Sequence, residues 1–369
     1  MLRAVFAVVV LGHGLIHLLG FVKAFGLAPL EQLRAPIARP MGILWLIAAI
    51  LIALTVAALF FAPRWFWALG ALGLVASQMV ICCSWSDARF GTVANGLLLA
   101  GVIYGAFAWG PFGLRTEYER LVHESMERMA SAPPPKVVTE EDLAPLPSPV
   151  QRYLRFVGAV GQPRPLGFRA RMKGRIRSSE RTDWMSFEAE QVNFYDSIRR
   201  YFWMDAKRAG LPVDVLHAYG ANDAGMRVRV LSMIPAVDLQ GPEAMRTETV
   251  TILNDMSIFA PGALLDSRIA WRELDPLRVE ATLTNGPHTV RAVLVFDESG
   301  ALVDFWSDDR PMLGEDGKTM TPARWSTPLR EYGIRGPLRL ATRGEGRYAP
   351  PEGDYAYLEL EILEVMALP

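Results

Sequence analysis

The sequence predicts an α-helical membrane bundle at the N-terminus, followed by an α+β domain. That domain is one large curved antiparallel sheet, a half-barrel, with a helix laid across it. Three observations carry this reading. Residues 1–113 hold four long apolar runs. Residues 166–369 hold a succession of short segments in which apolar and charged residues alternate with a period of two, as half-buried strands require. One stretch within that succession, residues 243–265, breaks the alternation and reads as a helix interrupted at Pro261.

The totals fit. The 369 residues are 51% hydrophobic, and the mean hydropathy is +0.18. A net charge of −1 gives no drive toward nucleic acid. The two cysteines, Cys82 and Cys83, are adjacent and inside an apolar run, which argues against an intrachain disulfide framework. Five widely spread histidines limit metal chemistry, and neither a metal nor a cofactor is expected.

Each apolar run (residues 4–25, 41–62, 65–84 and 91–110) is about 20 residues long. At about 1.5 Å per residue, that crosses a hydrocarbon core of roughly 30 Å. Pro29, Pro36 and Pro40 mark the first connection, Pro63 and Arg64 the second, WSDARF the third, and Pro111 closes the last run. Trp65, Trp67, Trp85 and Trp109 stand at run ends, where indoles favour the interface. The expectation is a multi-pass protein of the cell membrane with both ends on one side. Arg3, Arg64, Arg115 and Arg120 balance Lys23, Arg34, Arg39 and Arg89, so positive charge does not decide which side.

His13 and His17 are four residues apart and share a helix face. Two readings are open. They form a ligand pair or proton relay, or they hydrogen-bond to Ser77, Gln78 or Asn95 on neighbouring helices. No other run carries a histidine, which favours the second.

Residues 114–165 form a connector. Tyr118, Leu121, Val122, Ser125 and Met129 make one stripe of an amphipathic helix. A run of three prolines at 133–135 is a semi-rigid spacer. Thr139 with the following acids reads as a capped turn. Ser148 as N-cap and Pro149 at the first position open a helix ending at Gly158.

The domain at 166–369 starts with FRARMKGRIR. Phe168, Met172 and Ile176 lie on one face; Arg169, Arg171, Lys173, Arg175 and Arg177 lie on the other. The next strand inverts the charge: Met185, Phe187 and Ala189 alternate with Ser186, Glu188 and Glu190. Glu188, Glu190, Glu359 and Glu361 can therefore pair with the cations across strands; docking on anionic headgroups is the alternative. Further strands are read at 199–206, 211–219, 226–234, 269–274, 277–284, 289–296, 301–306, 338–348 and 355–365, about ten in all with the helix counted separately. Turn signals stand at Asn222 to Gly225, Asn285-Gly286 and Asp297 to Gly300. Such a sheet leaves either a packed core or an apolar hollow.

These strands, the FDESG turn and the crossing helix resemble the half-barrel of LolA-like lipoprotein carriers. The whole chain resembles a family of uncharacterised bacterial four-span membrane proteins. HGLIHLLGF, SWSDARFGT, VQRYLRFVG, GLPVDVLHAY and GPE carry that likeness. It implies architecture and a place in the bacterial cell envelope, and supplies no catalytic residues.

Familiar catalytic motifs fail. GEDGKT at 314–319 imitates a phosphate loop, but Met312 stands where its first glycine belongs. Gly344 and Gly346 mark a bulge. His217 and His288 read as structural. Glu248 and Asp255, seven apart, share a face of the inserted helix, and Glu243 is near its start. No catalytic residue or metal ligand is assigned. The expectation is a membrane-anchored protein that binds a lipid or other apolar molecule through Phe168, Met172, Ile176, Phe187, Glu243, Glu248 and Asp255. The bilayer is the expected partner; protein partners are unknown. The alternatives are an enzyme acting on a lipid or isoprenoid through the helix carboxylates, and an assembly factor of the envelope.

Overall fold

The structure, a computed structural model, describes all residues except Met1, Gln32, Ala221, Asn222, Glu315 and Pro369. The chain divides into two compact units, Met1–Glu117 and Tyr118–Pro369.

Among the described residues of the first unit, four helices are long and apolar enough to cross a membrane: α1 (Leu2–Ala24), α2 (Arg39–Phe61), α3 (Pro63–Cys83) and, after the short α4 (Trp85–Ala88), α5 (Gly91–Ala108). Glycine lets them approach closely: a Cβ on Gly20 would fall 2.1 Å from the Trp45 ring. His13 Nε2 lies 2.9 Å from Asn95 Oδ1 and 3.2 Å from Ser77 Oγ, and Asn95 Nδ2 donates to Gln78 Oε1 at 3.0 Å. The packing role of His13 follows from these bonds between helices. His17 Nδ1 turns back to the His13 carbonyl oxygen at 3.0 Å.

The second unit begins within α6 (Leu114–Met129), which from there buries Tyr118, Val122, Ser125 and Met129, and the Ser125 hydroxyl meets the Tyr201 hydroxyl at 3.1 Å. The short α7 (Glu140–Leu143) has the reciprocal Thr139–Asp142 capping box. In α8 (Ser148–Phe156) the N-cap is Pro147, with no side-chain cap. Ser148 lies inside the helix and accepts from Arg152, which corrects its expected capping role.

Among the described residues, fourteen strands then build one antiparallel sheet. The first six are β1 (Gly167–Ile176), β2 (Met185–Phe194), β3 (Arg199–Arg208), β4 (Leu211–Tyr219), β5 (Ala224–Val230) and β6 (Ile234–Gln240). They step outward from the middle to one edge. The buried helix α9 (Pro242–Phe259) and a 3-10 turn (Pro261–Leu265) lead to β7 (Ile269–Asp275) at the other edge. The chain then steps back through β8 (Arg278–Asn285), β9 (His288–Phe296) and β10 (Leu302–Ser307). A separate hairpin follows, β11 (Met312–Leu313) with β12 (Met320–Thr321). The last strands are β13 (Arg324–Ser326), β14 (Leu329–Arg335), β15 (Leu338–Ala349) and β16 (Tyr355–Leu368), which pairs with β1. The two edge strands, β6 and β7, are not paired with each other among the described residues, so the sheet is curved but not closed.

Register shows how α9 crosses. Gln240, Gly225, Ala218, Tyr201, Val192 and Arg169 face one another across β6 to β1. The helix leaves this row through Gly241, whose φ of 102° suits glycine. Its last residue, Phe259, stacks on Phe168 beside the far end of the row, with centroids 4.9 Å apart. Eighteen residues span about 27 Å, and five strand spacings span about 24 Å. The helix therefore lies across the strands along one rim.

The two sheet faces differ as the alternation requires. Outward, Arg175 makes a two-pronged bond to Glu359 (2.7 and 2.8 Å), and Lys173 pairs with Glu361 at 3.4 Å. Inward, Phe168, Met172 and Phe187 are buried, and Ile176 is half-buried against the core. The structure adds strands to those expected. β6 is separated from β5 by Leu231, Ser232 and Met233, the first two left-handed without being glycine. β11 to β13 have only two or three residues each. The bulge expected near Gly346 is present against β16. Of the expected Asn222 turn, Asn222 lies outside the described residues.

Met172→Arg puts an uncompensated charge on the buried face and is expected to abolish the cooperative melt of the domain. Lys173→Glu, on the exposed face, is expected to leave it nearly unchanged. Thermal unfolding of the full chain in detergent, followed by near-UV circular dichroism, checks both. A tolerated Met172→Arg with a damaging Lys173→Glu would mean the faces are reversed.

Candidate functional site

Three adjacent strands place polar residues where their alternation calls for apolar ones. Gln191 and Asn193 continue the inward face of Phe187 and Ala189 on β2. Arg200 shares a face with Met204 on β3, and His217 shares one with Val213 and Val215 on β4. Over these positions lies α9, which brings Glu248 and Asp255.

Arg200 is the centre. Its Nη1 donates to Glu248 Oε2 at 2.9 Å and its Nε to Asp255 Oδ2 at 2.8 Å. All three side chains are buried. Asp255 Oδ2 also accepts from Gln191 (2.7 Å) and Asn193 (2.9 Å). The other Glu248 oxygen lies 2.7 Å from His217 Nδ1, where the cluster reaches the half-buried surface. Burial pushes the Glu248 carboxyl up, but the charges of Arg200, His217 and Arg310 outweigh it and hold the group at about 2. For Asp255 burial dominates and raises the carboxyl above its ordinary value, against Arg200 and the Asn193 bond.

The remaining polar side chains of α9 are mostly satisfied. Thr249 meets the Tyr219 hydroxyl at 3.2 Å, Asn254 donates to Thr327 at 2.6 Å, and Thr251 accepts from Arg310 at 3.2 Å. Tyr153 of α8 donates to the Ser257 carbonyl at 2.6 Å.

The expected site residues thus separate. Glu248 and Asp255 converge on one guanidinium. Glu243 is exposed at the helix start and does not join them. Phe168, Met172 and Phe187 belong to the packed core, with Ile176 at its margin. His217, read as structural and isolated, has Glu248 as its partner. Arg200, Gln191 and Asn193 were not anticipated, although their place on core-facing parity is visible in the sequence.

At the rim away from α9, the inward row is less covered. Ile176 pairs with Met185 and Leu358, Gly174 with Leu360, and Val230 with Val213. Ile176, Met185, Val228, Val230, Leu358 and Leu360 are all half-buried apolar or thioether side chains. On the outer face, an open charged cleft of about 860 Å³ runs from Glu188, Asp205 and Lys207 to Arg330 and Glu345. No group of three or more potential metal ligands occurs among the described residues.

Residues 136–360 match the model of DUF6544, a family of unknown function. No curated protein matches the chain. Among solved structures, the fold is similar to a DUF1329 family protein from Desulfovibrio piger ATCC 29098, at 10% identity and TM-score 0.35, covering 63% of this chain and 94% of that one. It is also similar to a LolA superfamily protein from Nitrosomonas europaea, at 10% identity and TM-score 0.33, with the same coverage of 63% and 94%.

Glu248→Gln leaves Arg200 with half its countercharge and is expected to cost about 3–5 kcal/mol at neutral pH, as breaking a buried pair does. Because the folded pKa of Glu248, about 2, lies below its ordinary value of 4.5, its contribution is complete above the latter. It is lost as pH falls toward the former. The stability gap between wild type and Glu248→Gln, measured by denaturant unfolding across pH, is expected to be constant above that window and to shrink as pH falls through it. A gap independent of pH would contradict the ionised pair.

Proposed function

We propose that this chain, which belongs to the DUF6544 family, is a membrane-anchored binding protein. The four apolar helices hold it in a bilayer, and the sheet domain accommodates a lipid or other apolar molecule. Residues 1–113 then serve as the anchor, 114–165 as the connector and 166–369 as the binding domain.

The observation that supports this reading best is the half-covered apolar row on the inward face, at the rim that α9 leaves free. A sheet facing only its own core has no use for such a row, and an apolar chain laid along it removes that surface from water. In this account Ile176 contacts the ligand directly, with Phe187 and Met172 behind it. Phe168 and the Glu248–Arg200–Asp255 cluster fix the helix that shapes the groove. Glu243, at the exposed helix start, stands at the edge of the site.

Lipid retained by the full chain after extraction in mild detergent and extensive washing, identified by mass spectrometry, tests the proposal. The wild type is expected to carry a defined lipid class. Val230→Asp and Leu360→Asp, at half-buried positions, are expected to lose it severalfold, and Lys173→Glu on the outer face to keep it. Washed wild type free of lipid, or equal retention in all variants, would contradict the proposal.

A further inference from the structure

Half-buried Arg310 is placed unlike Arg199, Arg200 and Arg268. Arg199 faces Asp196, Arg200 faces Glu248 and Asp255, and Arg268 faces Asp266. Arg310 has no carboxylate at ion-pairing distance among the described residues. Its sequence neighbours are already engaged, Asp308 with Arg324 and Asp309 with Arg246.

The partners of Arg310 are neutral. Its Nε donates to Thr251 Oγ1 at 3.2 Å and its Nη1 to the Tyr348 phenol oxygen. The guanidinium carbon lies 4.3 Å from the centre of the Trp325 ring. One turn before Thr251, on the same face of α9, Thr247 is 8% exposed and its hydroxyl has no partner among the described residues. A half-buried guanidinium that makes no ion pair, with the Glu248 charge acting on it only from beyond pairing distance, is costly to keep. Its fork of donors is suited to a carboxylate or phosphate.

This polar spot borders the apolar row. Tyr348 stacks on Tyr357 at 4.9 Å, and the next residue, Leu358, is opposite Ile176 of β1. We propose that the ligand of the inward face is an anionic amphiphile, its carboxylate or phosphate held by Arg310 and its chain lying along Tyr357, Leu358 and Ile176. The inference rests on the reading of that face as a binding surface.

Displacement of an environment-sensitive apolar dye from the full chain in detergent, by hexadecanoate, hexadecyl phosphate and hexadecanol, tests it. The wild type is expected to bind the better of the two anions about tenfold or more tightly than the alcohol. The anion that binds better assigns the head group. In Arg310→Gln the anion-to-alcohol ratio is expected to fall to about one, with Arg310→Lys between. Equal binding of alcohol and anions by the wild type overturns the anionic assignment and leaves the apolar reading in place. So does an undiminished ratio in Arg310→Gln. Failure of all three compounds to displace the dye overturns the apolar reading itself. If Arg310→Gln does not fold, the wild-type ratio decides.

Discussion

The fold of the large domain depends on one buried guanidinium. The chain builds the sheet outward from its middle to the β6 edge and must then reach the β7 edge. The helix that makes the crossing is enclosed on nearly every side, yet it carries Glu248, Thr249, Thr251, Asn254, Asp255 and Ser257. A buried polar helix is stable only if these groups find partners. Arg200 supplies the decisive ones, because it binds two carboxylates about two turns apart and so fixes both the position and the rotation of α9. Apolar packing, including the Phe168–Phe259 stack, adds stability but less directional constraint.

From this the two sheet faces acquire separate roles. Outward charges pair along the strands, as Arg175 does with Glu359 and Lys173 with Glu361, and keep that face solvated. Inward, the rim under α9 is closed by ion pairs and packed rings, and the opposite rim is left as an apolar strip. Arg310 links the two, bonded to Thr251 of the helix and to Tyr348, which stacks on Tyr357 beside the strip. A binding surface with an apolar length and a cationic end is the arrangement that an amphiphile matches.

Much of this was legible in the sequence because it is local. Four apolar runs, the Tyr118-to-Met129 stripe and the alternation in FRARMKGRIR each declare an element within a few residues. Elements without local signal were not. β6 begins after a turn in which Leu231 and Ser232 adopt left-handed backbone, where no glycine or asparagine marks the bend. β11 to β13 are too short to show a period. The site was half legible. The shared face of Glu248 and Asp255 follows from their spacing, but their partner is 48 and 55 residues away in the chain. Only the polar residues at core-facing positions of β2, β3 and β4 hinted that a charged helix would be received there. Arg310, in an irregular segment, gave no pattern to read.

Amide hydrogen exchange along α9 tests the central claim most directly. A helix fixed inside the sheet by Arg200 is expected to exchange from Met245 to Phe259 only through global unfolding, as slowly as β1 and β2. Replacing Arg200 by methionine is expected to release that segment first. Exchange of α9 in the wild type at the rate of the exposed face of α6, with β1 and β2 still protected, would contradict the account.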